Sequence, residues 1–143
     1  MKASLKAYEI VKEFEGLRLM PYQDIVGVWT VGYGSTTDVT PGEKITQAEA
    51  DDRLAKDMDE AERCLNNNVS VELNQNQIDA LCSWIFNLGC KRFHASTMLR
   101  KINEGQFDQA SVEMRKWDMA GGKQVDWLIK RRIAESKLFE TKT

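Results

Sequence analysis

The 143-residue chain is poor in the residues that build metal centres and in long apolar stretches. Its single histidine, His94, and its cysteines, Cys64, Cys82 and Cys90, match no zinc-binding spacing, so we expect no metal and no other cofactor. An odd number of cysteines argues against a disulfide framework, and we expect three small, buried apolar side chains. No segment approaches the roughly 20 apolar residues of a membrane helix, which predicts no stable membrane insertion.

The N-terminal segment also lacks the apolar core of a secretory signal, because residues 1–14 contain five charged side chains. We therefore expect no export by that route. With 42% apolar and 29% charged residues, the composition is that of a single folded domain over residues 1–143.

Net charge is small, at −2, but it is unevenly distributed. Residues 1–90 contain 8 Lys and Arg against 15 Asp and Glu, whereas residues 91–143 contain 12 against 7. A basic half suggests an anionic partner, although from charge alone a solvated surface is the preferred interpretation. The basic residues do not alternate with aromatic ones as in nucleic-acid-binding modules, which predicts no nucleic-acid partner.

The first segment with a clear pattern is helical. Apolar residues recur at helical spacing over residues 3–14. Glu15 continues the apolar face four residues after Val11, and Gly16 then supplies a helix end. A carboxyl group placed there points towards the core at the negative end of the helix dipole, and both features favour its protonated form.

A different pattern follows, typical of a β-hairpin. Leu17 to Tyr22 predicts an edge strand, because it contains a proline, and Gln23 to Gly27 predicts a turn. β-branched and aromatic residues from Val28 to Tyr33 predict the second strand. Asp24 is then expected in a turn that water reaches.

The rest of the chain predicts helices. Thr46 with Glu49, and Asn74 with Gln77, have the spacing of capping boxes. The predicted helices after the hairpin cover about 47–64, 75–88, 97–104, 107–117 and 125–140. The first of these is long and charged, and we expect it to join two lobes. The predicted fold class is α+β and mostly helical, with a small hairpin-bearing lobe and a larger helical lobe.

Glu15, Asp24 and Thr30 are the candidate catalytic residues. A partly buried Glu15 and a wetter Asp24 favour different protonation states, and acid–base cleavage of an acetal needs one donor and one ionised group. The Thr30 hydroxyl can hold a water, since it both donates and accepts hydrogen bonds. Spacing alone is weak evidence, because a helix-end Glu paired with an Arg, a turn Asp and a strand Thr explain it without catalysis.

A wider pattern is more specific. Glu15 to Gly34 reads E-G-x-R-L-x-x-Y-x-D-x-x-G-x-x-T-x-G-x-G. This stretch resembles the phage-type lysozymes, also called endolysins, of glycoside hydrolase family 24. Leu73 to Asn103 and the block from Trp117 to Phe139 are similar to the same family, so the resemblance spans nearly the whole chain.

This resemblance implies a lysozyme-like fold with a cleft between two lobes. The small lobe would cover about 16–50, the linking helix about 47–64, and the helical lobe about 69–143 together with the N-terminal helix. The implied activity is hydrolysis of the β-1,4 bond between N-acetylmuramic acid and N-acetylglucosamine in bacterial peptidoglycan, with lysis of the host cell.

Roles follow by position from the same resemblance. Glu15 would be the general acid, and Asp24, with Thr30 beside it, would assist the water or stabilise the cationic transition state. Inversion is implied, which requires carboxyl groups separated by roughly 6.5–9.5 Å. The expected substrate-binding residues are Tyr33, Gly34, Ser35 and Arg131.

Two positions depart from the family pattern. Ser35 stands where a histidine commonly follows the second glycine, and we expect altered packing or electrostatics there without loss of catalysis. Trp127 stands where a glycine is frequent; core packing is favoured over sugar stacking. Arg131 or Arg132 is expected to pair with Glu15.

Two alternatives stay open at this point. A lytic transglycosylase would need only one acid/base Glu, and a non-catalytic relative would bind peptidoglycan without cutting it. In the leading hypothesis the partner is the glycan strand of peptidoglycan and the protein is a monomer. The resemblance implies residence in the host bacterial cytoplasm until holin-dependent release to the periplasm and cell wall.

Overall fold

Helices dominate the computed structural model, which describes residues 1–143, as the sequence predicts. None of these helices has an apolar stretch long enough to span a bilayer. The elements in chain order are α1 (Leu5–Glu15), β1 (Arg18–Gln23), β2 (Trp29–Gly32), α2 (Gln47–Asn68), α3 (Gln75–Leu88), α4 (Cys90–His94), α5 (Thr97–Asn103), α6 (Phe107–Arg115), β3 (Met119–Ala120), β4 (Lys123–Gln124) and α7 (Asp126–Glu140).

Helix α3 is the centre of the larger lobe. Every residue from Asn76 to Ile85 is buried, because α1, α2 and α7 all pack against this helix. A helix covered on all sides carries apolar residues around its whole circumference. Trp84, which is fully buried, meets Phe93 and Trp117 in edge-to-face contacts.

The smaller lobe is built on the β1–β2 hairpin. The strands are antiparallel, with Tyr22 opposite Thr30 and Gln23 opposite Trp29. The register shifts between Arg18 and Tyr22. Pro21 lies inside this irregular stretch, where its missing N–H costs no regular ladder bond.

Helix α2 packs against both β2 of the smaller lobe and α3 of the larger one. A capping box formed by Thr46 and Glu49 starts it, and its 22 residues span about 33 Å. Near its beginning, Ala50 lies against Gly32 of the hairpin. Near its end, Cys64 is bonded to Cys90 at the start of α4.

That bond corrects the expectation for the cysteines. Cys64 and Cys90 form a disulfide, and only Cys82 is a free, buried thiol. The odd count concealed one pair, because the two partners are 26 residues apart and lie on different helices.

Some boundaries also differ from the prediction. α2 continues to Asn68 instead of ending near Cys64, because Asn66 and Asn68 donate side-chain hydrogen bonds to carbonyls four residues earlier in the same helix. The five-residue helix α4 and the two-residue strands β3 and β4 were not predicted. Such short elements have too few residues to show a period.

Candidate active site

The end of α1 places Glu15 between the two lobes. Gly16, with φ of 70°, ends the helix and lets the chain turn into β1. The Glu15 side chain is 18% exposed, and its Oε2 lies 2.5 Å from Nη1 of Arg131 on α7. Arg131 is the basic partner of Glu15, which decides between the two arginines proposed from the sequence.

Arg131 is itself held in a buried polar network. Its Nε lies 3.2 Å from Oε2 of Glu135, and its Nη2 donates to the carbonyl of Ser83 at 3.2 Å. The Ser83 hydroxyl donates to the same Glu135 oxygen at 2.6 Å. Arg131 and Glu135 are both fully buried, so each charge would be strongly destabilising without the other. These contacts also fix the direction in which the Arg131 guanidinium points towards Glu15.

Arg132 completes this network on the far side of Glu135. Its Nε is 2.7 Å from Oε1 of Glu135, and its Nη2 donates to Oδ1 of Asn87 at 2.8 Å. Burial lowers the pKa of Arg132, while the adjacent Glu135 carboxylate opposes that shift. The Glu135 carboxylate therefore pairs with both Arg131 and Arg132. Arg131 also forms an ion pair with Glu15.

Gly34 lies directly against the catalytic candidate on the hairpin side. Its φ is 79°, and a Cβ built on it would be 2.6 Å from Oε1 of Glu15. No side chain fits at this position without displacing the carboxyl group. The glycine therefore gives Glu15 an uncovered backbone on the side of the cleft.

Asp24 sits in the hairpin turn as predicted. Its Oδ1 accepts hydrogen bonds from the backbone N–H groups of Val26 and Val28, both at 2.9 Å. The turn thereby fixes the direction of the carboxyl group through one oxygen. Thr30 follows on β2, is 5% exposed, and donates its hydroxyl to the Val28 carbonyl at 3.0 Å.

A cavity of about 210 Å³ lies between the lobes. Gly34, Thr36 and Thr37 line it from the hairpin side, and Phe86 lines it from α3. The opposite wall is α2, with two carboxylates facing the cavity, those of Asp57 and Glu60. Gly34, which lies against Glu15, is therefore part of a groove lined by hydroxyls, an aromatic ring and acids, a surface suited to a sugar polymer.

One of the carboxyl groups in this groove, that of Asp57, has a raised pKa. Burial and the neighbouring Glu60 raise its pKa, while Arg53 and a hydrogen bond with Ser35 lower it, and the net shift is upward. Asp57 is not distinguishable in the sequence, because one acid on a helix rich in acids gives no signal of its own.

The sequence matches the family described as Phage lysozyme over residues 12–135. The chain belongs to the phage lysozyme family. It is 44% identical to an endolysin of Acyrthosiphon pisum secondary endosymbiont phage 1, over 99% of both chains. It is 38% identical to the endolysin of Salmonella phage P22, over 97% of this chain and 98% of that one.

Solved structures agree with this assignment. A P22 lysozyme variant superposes with a TM-score of 0.85 at 37% identity, and the muramidase domain of SpmX from Asticcacaulis excentricus with 0.91 at 38%. Both alignments cover 99% of each chain. The protein therefore has the lysozyme-like, two-lobed fold and is a glycoside hydrolase. It is an endolysin that hydrolyses peptidoglycan, and the transglycosylase alternative is not favoured.

The expected substrate-binding residues differ in whether they reach the surface of the cleft. Gly34 lines the cleft, whereas the other three side chains are buried. The Tyr33 hydroxyl accepts a hydrogen bond from Gln47, and the Ser35 hydroxyl accepts one from Arg53. We expect the buried side chains of Tyr33, Ser35 and Arg131 to stabilise the cleft wall without touching the glycan. Direct contact with glycan stays a prediction for Gly34.

Two further positions can now be assigned. Trp127 is 46% exposed at the start of α7, so the expectation that it packs in the core is wrong. The second residue of a helix faces outward here, because the apolar face of α7 is set by Leu128 and Phe139. His94 makes a structural contact, with its Nδ1 2.6 Å from Oδ1 of Asn68.

Proposed function

We propose that this enzyme cleaves the β-1,4 bond between N-acetylmuramic acid and N-acetylglucosamine, with Glu15 as the general acid. The observation that carries the proposal is the asymmetric setting of the Glu15 carboxyl group. Oε2 is bound to Arg131, whereas Oε1 faces Gly34 on the side of the cleft. A proton on Glu15 is therefore carried by Oε1, the oxygen that a glycosidic oxygen can approach.

In the proposed reaction, Glu15 gives its proton to the leaving oxygen of N-acetylglucosamine as the bond to the muramic acid C1 breaks. A water attacks C1 from the opposite face and passes its proton to Asp24. This sequence inverts the configuration at C1 and requires the two carboxyl groups to be roughly 6.5–9.5 Å apart. Asp24 suits the role of base, because its turn occupies Oδ1 and leaves Oδ2 for the water.

Thr30 is proposed to hold that water beside Asp24. Its hydroxyl hydrogen is directed to the Val28 carbonyl, so an oxygen lone pair remains to accept a hydrogen bond from the water. The buried position of Thr30 keeps this lone pair in one direction.

Glu15→Gln tests the assignment of the acid. We expect this variant to fold and to lose nearly all activity in a zymogram and in turbidity assays on purified peptidoglycan, because an amide cannot donate the required proton. Glu13→Gln, an exposed carboxylate on the same helix, is the matched control and should keep wild-type activity. Lysis at the wild-type rate by Glu15→Gln would show that another residue is the acid.

Asp24→Asn should also be severely impaired, since it removes the proposed base while preserving the acceptor oxygen of the turn. Mass spectrometry of the muropeptides released by the wild-type enzyme tests the reaction type. Hydrolysis gives reducing N-acetylmuramic acid ends. Products that end predominantly in 1,6-anhydro-N-acetylmuramic acid would exclude hydrolysis and indicate a lytic transglycosylase.

We further propose that the enzyme acts as a monomer on the glycan strand and reaches it from the host cytoplasm through a holin lesion. The disulfide supports an oxidising final compartment, such as the periplasm where peptidoglycan lies. Cells that express the enzyme without a holin should lyse only after chloroform permeabilises the inner membrane. Spontaneous lysis would refute this route, and size-exclusion chromatography with light scattering checks the monomer.

The basic residues of 91–143 are proposed to favour the anionic wall. Binding of Glu15→Gln to purified peptidoglycan should then weaken as salt rises, because screening reduces interactions between exposed charges. Binding that does not depend on salt would refute this contribution.

A further inference from the structure

The residues after Gly34 form one wall of the cleft without belonging to a helix or strand. We call residues 35–38 the cleft segment. Thr36 and Thr37 line the cavity, and Ser35 is joined to Val31 by two backbone hydrogen bonds of 2.9 Å. Beyond Ser35 the segment has no such backbone pairing, and Asp38 has φ of 51°, which residues other than glycine rarely adopt. A contact from outside must hold this conformation.

Arg53 of α2 provides that contact. Its Nη1 donates to the Thr37 carbonyl at 2.5 Å and lies 3.3 Å from the Ser35 hydroxyl, while its Nη2 donates to the Asp38 carbonyl at 2.9 Å. One guanidinium thus binds three of the four residues of the cleft segment. A planar fork with several fixed donors can do this, whereas an ammonium group on a flexible stem cannot hold both carbonyls in the same way.

Ser35 links this clamp to the cleft wall on α2. Its hydroxyl also opposes the upward shift in the pKa of Asp57, which lies one helical turn after Arg53. Ser35 is 3% exposed, so its hydroxyl is shielded from solvent beside Arg53. The Arg53 hydrogen bonds to Ser35, Thr37 and Asp38 thus tie the cleft segment to the helix.

We propose that Arg53 is a positioning residue for glycan binding, which holds Thr36 and Thr37 where their hydroxyls and backbone meet the sugar. The inference rests on the proposed function, because it takes the cavity beside Glu15 as the glycan groove. Arg53 does not touch the groove's reacting atoms, so its loss affects binding of the glycan strand and not the chemical step.

The experiment compares Arg53→Met with the wild-type enzyme on soluble glycan strands. We expect KM to rise about tenfold, which corresponds to losing one well-placed hydrogen bond to the ligand, with kcat within about twofold of wild type. Arg53→Lys should fall between the two, since it keeps the charge and loses the fork. Lys56→Met is the matched control, because Lys56 is exposed on the same helix and, unlike Arg53, makes no hydrogen bond to the cleft segment.

A second variant keeps the test decisive if Arg53→Met does not fold. Ser35→Ala removes only the hydroxyl that Arg53 contacts and should raise KM by a smaller factor with kcat unchanged. The proposal is overturned if Arg53→Lys and Ser35→Ala both keep the wild-type KM. It is also overturned if Lys56→Met raises KM as much as Arg53→Met, or if Arg53→Met lowers kcat alone.

Binding measured without chemistry separates this inference from the assignment of Glu15. Peptidoglycan glycan strands are titrated into Glu15→Gln with and without Arg53→Met, and the added substitution should weaken binding about tenfold. If Glu15→Gln is active but this difference persists, only the assignment of the acid fails. If Glu15→Gln is inactive and the difference is absent, only the role of Arg53 fails.

Discussion

Gly34→Ala tests the geometry of the active site at the level of single atoms. A Cβ at this position would lie 2.6 Å from Oε1 of Glu15, whereas an ordinary contact needs about 3.4 Å. The carboxyl oxygen must therefore retreat by about 0.8 Å, and Oε2 is already fixed by Arg131. A misplacement of about 1 Å in a catalytic group costs about 10²-fold in rate, which sets the expected loss in kcat.

Stability should respond much less than activity. The positive φ of Gly34 costs an alanine about 1–2 kcal/mol, and the displaced atom is the end of a side chain. Gly32→Ala is the matched control, since its φ is 67° and its new Cβ would meet Ala50 and Ile45 at ordinary distances of 3.5 and 3.6 Å. It should lose a similar free energy of unfolding and keep its activity.

Kinetics on purified peptidoglycan, with urea unfolding of both variants, provide the comparison. A folded Gly34→Ala with wild-type kcat would refute the reasoning, because Glu15 would then not need the position that the structure gives it. An equal loss of kcat in Gly32→Ala would refute it too, since strain in the hairpin would explain the effect.

Three other outcomes follow from the cysteines and the buried charges. Burial raises the pKa of Cys82 to about 12, so Ellman's reagent should detect no thiol in the native oxidised protein and one after unfolding; a reactive native thiol would contradict this burial. Replacing Cys64 and Cys90 by serine should lower the free energy of unfolding by about 3.5 kcal/mol, given their separation of 26 residues, and an unchanged denaturation midpoint would argue against the bond. Glu135→Gln should cost about 3–5 kcal/mol in the same assay, because two buried arginines lose their shared carboxylate. The exposed Glu104→Gln should change stability by less than about 0.5 kcal/mol, and equal losses in the two variants would refute the importance of burial.

Local signals in the sequence predicted most of the helices. The capping boxes at Thr46 and Asn74 mark the starts of α2 and α3, and both are present in the structure with reciprocal hydrogen bonds. Such signals succeed because the interacting groups are three residues apart and need no tertiary contact. The end of α2 was misplaced for the complementary reason, since Asn66 and Asn68 can either break a helix or bond back to it.

The candidate site was only partly accessible from the sequence. Helix and turn patterns made Glu15 and Asp24 candidates, the family resemblance supplied their proposed roles, and both assignments stay predictions. The contacts of Arg53 with residues 35–38 join segments far apart in the chain, and no periodicity reports them. Arg131 and Glu135 have the spacing of an exposed helix pair, and only the packing of α7 against α3 shows that they are buried.

Helix α2 sets the distance between the two sides of the cleft. Arg53 holds one wall, Asp57 lines the groove, and Cys64 fixes the same helix to the opposite lobe. From Arg53 to Cys64 the rise of about 1.5 Å per residue gives roughly 16 Å. One inserted residue would turn Cys64 by about 100° relative to Arg53, and seven inserted residues, which nearly restore both faces, would lengthen the segment by about 10 Å. We therefore expect the length of this segment to tolerate insertions far less well than its exposed side chains tolerate substitution.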